Sequence, residues 1–173
     1  GSGKEVFAVA TAQLDGRPVI VSGGLGDDVH LWDLATHAAV GAPLATGGRT
    51  VFKLVVTQLA DRPVVVAGLD DGTLQVWDLR DRTTVATLRG SSGYVGTVIV
   101  MQRDGRPVVI ASGSDDMVRA WDLTTRATIG HPFGNDSEVE AMTAADVDGR
   151  PVLVTGSYDH LLRVWDLAPS LGI

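Results

Sequence analysis

Four Trp-Asp-Leu triplets frame this chain: Trp32-Asp33-Leu34, Trp77-Asp78-Leu79, Trp121-Asp122-Leu123 and Trp165-Asp166-Leu167. Their tryptophans are the only ones in the sequence and stand 45, 44 and 44 residues apart. Fourteen residues before each lies a proline, Pro18, Pro63, Pro107 and Pro151, and each proline follows an arginine. Two markers in one register across 173 residues define a tandem repeat. A period near 44 restricts the chain to one small supersecondary unit stacked on its own copies.

Within a repeat the periodicity is that of strands. Each proline opens a β-branched run: Val19-Ile20-Val21, Val64-Val65-Val66, Val108-Val109-Ile110 and Val152-Leu153-Val154. Short continuous apolar runs of this kind suit strands buried on both faces. The preceding Asp-Gly-Arg-Pro element has a hairpin logic. Glycine takes positive φ, the arginine before proline stays extended, and proline starts the next strand where no ladder donor is needed. A third strand ends at the tryptophan, and a more polar fourth follows the triplet at Ala38-Val40, Thr83-Val85 and Ala127-Ile129. The expected product is an all-β chain of about fifteen strands with no helix beyond a turn, four antiparallel strands to a propeller blade. The blades are expected at about residues 4–44, 45–89, 90–134 and 135–173 of a single domain spanning 1–173.

With these residues in view, the chain resembles the WD40-repeat (WD-repeat) β-propeller family over nearly its whole length. The period, the Trp-Asp pair, and Ser22-Gly23 and Thr155-Gly156 ten residues before their tryptophans carry the resemblance. It implies blades of four strands, a to d outward from the axis, tied by a hydrogen-bonded tetrad of Asp, His, Ser/Thr and Trp. That tetrad is degraded here. Trp32, Trp77, Trp121 and Trp165 are all present, and Asp71, Asp115 and Asp159 fill the turn position, where the first repeat has Gly26. The hydroxyl position reads Ser22, Ala67, Ala111 and Thr155, and no Gly-His pair occurs; Gly90-Ser91 and Gly134-Asn135 stand in two of its places. The family network is therefore expected not to transfer, so that Trp121→Ala costs far more than Asp115→Ala.

The resemblance also implies rings of about seven or eight blades, of which four cover roughly half a circle. Ile173 aligns with Val40, Val85 and Ile129 of the fourth strand, so the remainder of that strand is expected to be missing. Two copies closing an eight-bladed ring is the expected assembly, with an excised piece of a longer ring as the bland alternative. In either case Val164→Asp is expected to split the ring or unfold it.

Composition narrows the chemistry. The chain has no cysteine, which removes disulfides, thiolate zinc sites and cysteine nucleophiles. The histidines His30, His37, His131 and His160 fall at four different blade positions without ligand spacing, and no Gly-x-Ser-x-Gly elbow occurs. No catalytic, cofactor or metal residue is therefore assigned, and the chain is expected not to be an enzyme. Gly1-Ser2-Gly3 is neither signal nor transit peptide and reads as a remnant of cloning, and no apolar run is long enough for a membrane helix, so a cytoplasmic location is expected. A net charge of −7 argues against nucleic acid and membrane as partners.

The acids concentrate on the rim expected to carry the b–c and d–a loops. Asp27, Asp28, Asp70, Asp116, Tyr94 and Glu138 form a candidate interaction rim there for basic peptides or proteins, beside Asp71, Asp115 and Asp159. Solubilising hairpin turns are the plainer explanation of the same charges. On the opposite rim the charges balance in neighbouring pairs, Asp15 with Arg17, Asp61 with Arg62, Asp104 with Arg106 and Asp148 with Arg150.

Overall fold

The computed structural model describes residues 4–26 and 28–170. Asp27, Gly1-Ser2-Gly3 and the fourth-strand position of Ile173 lie outside them. Fourteen strands and one four-residue helix form four antiparallel sheets in chain order. The first holds β1 (Val6–Leu14), β2 (Arg17–Gly24) and β3 (His30–Asp33). The second holds β4 (Val51–Leu59), β5 (Arg62–Leu69), β6 (Thr73–Asp78) and β7 (Thr84–Arg89). The third holds β8 (Val95–Arg103), β9 (Arg106–Gly113), β10 (Met117–Asp122) and β11 (Ala127–Gly134). The fourth holds β12 (Val139–Val147), β13 (Arg150–Ser157) and β14 (Leu162–Asp166), followed by α1 (Leu167–Ser170).

Each blade opens with the same hairpin. Both central turn residues have positive φ, as in Asp15 (51°) and Gly16 (77°), closed by the pair Leu14–Arg17. This is the two-residue turn whose twist matches that of the strands. One residue is bulged at the start of each first strand, between Val6 and Ala8, Val51 and Lys53, Val95 and Thr97, and Val139 and Ala141.

The four sheets are the four expected blades, and the first and last differ from the middle two at the outermost strand. In the first blade the fourth strand is reduced to two bridges, Trp32–Ala39 and Val29–Leu44. Gly41, at φ 63°, turns the chain between them, and Pro43 offers no N–H to the ladder. In the last blade the described chain enters α1 where the others turn into a fourth strand. In the first three blades the aspartate of Trp-Asp takes two turn N–H bonds on Oδ1, from Ala35 and Thr36, Arg80 and Asp81, and Thr124 and Thr125. Asp166 has Ala168 N–H, but the second donor position is Pro169, which has none to give.

The core lies between blades rather than within them. Strands β1, β4, β8 and β12 stand side by side in chain order, and each junction has its own apolar cluster. At the first junction Val19, Val21, Val29 and Leu31 of one blade meet Val51, Leu54, Val65 and Trp77 of the next. At the second, Val64, Val66, Leu74 and Val76 meet Val95, Val98, Val109 and Trp121. Among the described residues β12 makes no such packing with β1, so one chain leaves the ring open.

The second hairpin shows how the turn chemistry can be tested. Its central residues, Ala60 and Asp61, adopt φ of 48° and 61° without a glycine. Replacing Ala60→Asp and Asp61→Gly installs the sequence of the other three turns. It should stabilise the chain by about 0.5–1 kcal/mol in chemical denaturation. An unchanged midpoint would show that this turn carries no strain.

Candidate functional site

Trp77, Trp121 and Trp165 lie at the blade junctions, and the tryptophan ring N–H groups show what remains of the tetrad. Trp32 Nε1 donates to Ser22 Oγ at 2.8 Å and Trp165 Nε1 to Thr155 Oγ1 at 3.0 Å. Ala67 and Ala111 offer no hydroxyl in the middle blades, where Trp77 and Trp121 are nonetheless almost fully buried. Packing rather than hydrogen bonding holds those two rings.

In the fourth blade the network is rebuilt, contrary to expectation. Thr155 Oγ1 donates to Asn135 Oδ1 at 2.8 Å, and Asn135 Nδ2 donates to Ser137 O at 3.0 Å and to Ser157 Oγ. Asn135 is fully buried. Its amide accepts on one side and donates on the other, as a neutral imidazole does. The clue in the sequence was Gly134-Asn135 standing where Gly-His was sought.

The turn aspartates also do more than shape hairpins. They bind loop backbone: Asp70 Oδ2 accepts from Thr50 N–H and Asp115 Oδ2 from Ser92 N–H, each in the loop entering its own blade, and Asp28 Oδ1 accepts from Thr46 N–H in the loop leaving its blade, all at 3.0 Å. Asp71 pairs with Arg49, Asp115 with Arg119 at 2.8 Å and Asp159 with Arg163 at 2.6 Å. Burial pushes the Asp115 carboxyl up, but the hydrogen bonds from Arg119 and Ser92, with the Arg119 charge, hold it below the usual carboxylate range. Asp71, Asp78 and Asp122 are lowered in the same way, against burial, by hydrogen bonds and by Arg49, Arg62 and Arg106.

On the opposite rim several arginines pair beyond the aspartate of their own turn. Arg62 binds Asp78 and Asp81, Arg106 reaches Asp122 at 3.4 Å, and Arg80 crosses the junction to Asp15 at 3.2 Å. Arg103 approaches Asp104 at 3.8 Å. Strand register is the reason. Arg62 and Val64 share one face at period two, and Val64 stands opposite Asp78.

On the acidic side an aromatic row crosses three blades: Phe7 stacks on Phe52 at 6.1 Å, and Phe52 meets Tyr94 at 5.1 Å. Tyr94 O–H then donates to Glu138 in the fourth blade, and this hydrogen bond pushes the phenol up to about 12. The structure thus brings Tyr94 and Glu138 together, seats Asp28 and Asp70 on loop backbone, and places Asp116 in its turn at φ 58°. His30 stacks on Trp32, His37 and His160 sit in turns at positive φ, and His131 lies in β11. Among the described residues no three His, Asp or Glu side chains converge as a metal site.

The WD domain, G-beta repeat family model matches residues 125–166. The markers of that segment recur in register at the other three tryptophans. The matched segment runs from β11 of the third blade through β14 of the fourth, so the WD repeat straddles a junction. Among the solved structures that share the fold are two computationally designed proteins, both 23% identical to this chain. Ika4 aligns with a TM-score of 0.77 over 96% of this chain and 93% of its own. Ika8, in its crystal packing No. 1 in P63, aligns with a TM-score of 0.76 over 96% of this chain but only 47% of its own. No curated protein matches the chain significantly.

Two outcomes test the polar network. Asp115→Ala leaves Arg119 and the Ser92 N–H without their acceptor and should cost about 1–3 kcal/mol, more than a bare turn bond. Trp121→Ala should still cost more, about 3–5 kcal/mol, in the same denaturation series. The depressed carboxylates set the pH response. A group whose pKa is lower folded than unfolded stabilises above the unfolded value, near 4, and loses that contribution as pH falls through the folded one. The denaturation midpoint should therefore be flat from about pH 7 to 5 and fall below about pH 4. A rise in stability below pH 4 would contradict these assignments.

Proposed function

We propose that this chain is a non-enzymatic WD-repeat module whose function rests on self-association, two copies closing one eight-bladed ring. WD-repeat propellers are in general non-enzymatic, which agrees with that reading. The observation that carries it is where apolar surface is left uncovered. Among the described residues, all the exposed large hydrophobic ones lie on the first and fourth blades. Val9 of the first blade is 66% exposed, whereas its counterparts Leu54 and Val98 are 6% and 3%. Leu162 and Val164 of the fourth are 79% and 67% exposed, whereas Leu74 and Val76 are both 0%. The two faces are the two halves of one junction, the same pairing that builds all three internal clusters.

The energetics favour covering them. Val6, Val9, Leu162 and Val164 would gain about 1.5–3 kcal/mol each on full burial, so about 6–12 kcal/mol gross per junction. Two such junctions compete well with an association cost of about 4–15 kcal/mol. A two-fold ring uses both faces of both copies and leaves none for further growth. Eight is also the count supported by Ika8, of whose length this fold occupies about half. A basic peptide on the acidic rim is the weaker alternative, because Asp28, Asp70, Asp71, Asp115 and Asp159 already hold loops and arginines. No described helix is long and apolar enough to cross a membrane.

Light scattering tests the proposal. The chain should show twice its 18.1 kDa at micromolar concentration. Because Val164 is exposed within one copy, Val164→Asp should abolish the dimer without unfolding it. The circular dichroism spectrum should stay β-rich while the mass falls to 18.1 kDa. A wild-type mass of 18.1 kDa, or a variant still dimeric, overturns the reading.

A further inference from the structure

Nine residues before each tryptophan stands a small residue: Gly23, Gly68, Ser112 or Gly156. The glycines are not there for backbone freedom, since none of the three has positive φ. Two of them are explained across a junction. A Cβ on Gly23 would stand 2.8 Å from Val51 Cγ1 and 2.9 Å from its Cβ. A Cβ on Gly68 would stand 2.8 Å from Val95 Cγ1 and 3.1 Å from its Cβ. The valine that opens the first strand of the next blade rests on the glycine itself, and is fully buried by doing so.

Gly156 has the same notch, and among the described residues no neighbouring blade fills it. The nearest atom a Cβ would meet there is Leu162 Cδ2 of its own sheet, at 3.4 Å, an ordinary contact. Val6 is the matching valine of the first blade and is 57% exposed, against 0% for Val51 and Val95 and 2% for Val139. The chain therefore has one notch without a plug and one plug without a notch.

We infer that Val6 of a second copy seats in the Gly156 notch, and that this contact fixes the register in which two copies meet. The inference rests on the proposed ring and adds the partner residue and the alignment. The remaining repeat bounds its stringency. Ser112 fills the notch at the third junction, its Oγ buried without a partner, and Val139 still packs there. A single added Cβ is tolerated, so a larger side chain is needed to block the site.

The absence of cysteine allows a direct test. The Cβ separations at the internal counterparts, 2.9 and 3.1 Å, are shorter than the roughly 3.5–4.5 Å that a disulfide spans, so the two strands need only move apart by about half an ångström to hold one. In the Val6→Cys/Gly156→Cys double variant, oxidation should join two chains through two disulfides, one at each junction. Each bond forms from two thiols with two electrons passed to an added oxidised glutathione. A covalent dimer on a non-reducing gel supports the inference. A dimer by light scattering that does not cross-link overturns the notch and leaves the ring standing. A monomer, with or without an internal disulfide, overturns both. As a second arm, Gly156→Leu should keep the wild-type circular dichroism and raise the dimer dissociation constant at least tenfold. An unchanged constant overturns the inference.

Discussion

Everything in this structure depends on the covering of one blade face by the next. The sheets are too narrow to hold a core of their own, and their middle strands are apolar on both sides. Val64, Val65 and Val66 are successive residues of β5, and all are buried, the first and third against the third blade and the second against the first. A blade with one bare face is therefore incomplete, and a row of four has one bare face at each end. The same rule explains why Trp77 and Trp121 need no hydroxyl partner: the junction has already removed their rings from water.

The polar interactions answer a different need, holding loops and turns at the rims where the apolar faces end. Aspartates grip the incoming loop on one rim, and on the other the aspartates of Trp-Asp close the turn into the fourth strand while arginines of the first hairpin cover them. The rims therefore stay ordered although the tetrad is incomplete. The fourth blade joins tryptophan, hydroxyl and loop in one chain of hydrogen bonds, with Asn135 in the linking position.

Much of this was legible in the sequence because it is written at fixed spacing. The Trp-Asp period and the Asp-Gly-Arg-Pro hairpins specify backbone, through β-branched runs and left-handed turn residues, and the strands fell where those signals put them. Gly41-Ala42-Pro43 and Pro169 also announced departures in the first and last blades, through a glycine bend and missing N–H donors, but the repeat pattern overshadowed them. The partners of the charges were not legible. Arg62 meets Asp78 because of strand register, and Arg80 meets Asp15 because two blades abut, and neither relation shows in local spacing. Asn135 escaped for a related reason: an amide can do the work of the missing histidine only where burial and neighbours supply its partners.

The central claim is that the two bare faces cover each other. Solution X-ray scattering on the wild-type chain over a concentration series measures the resulting shape directly. The profile should be that of a closed disc with a central channel, unchanged across the micromolar range. The profile of an isolated four-bladed arc would contradict it.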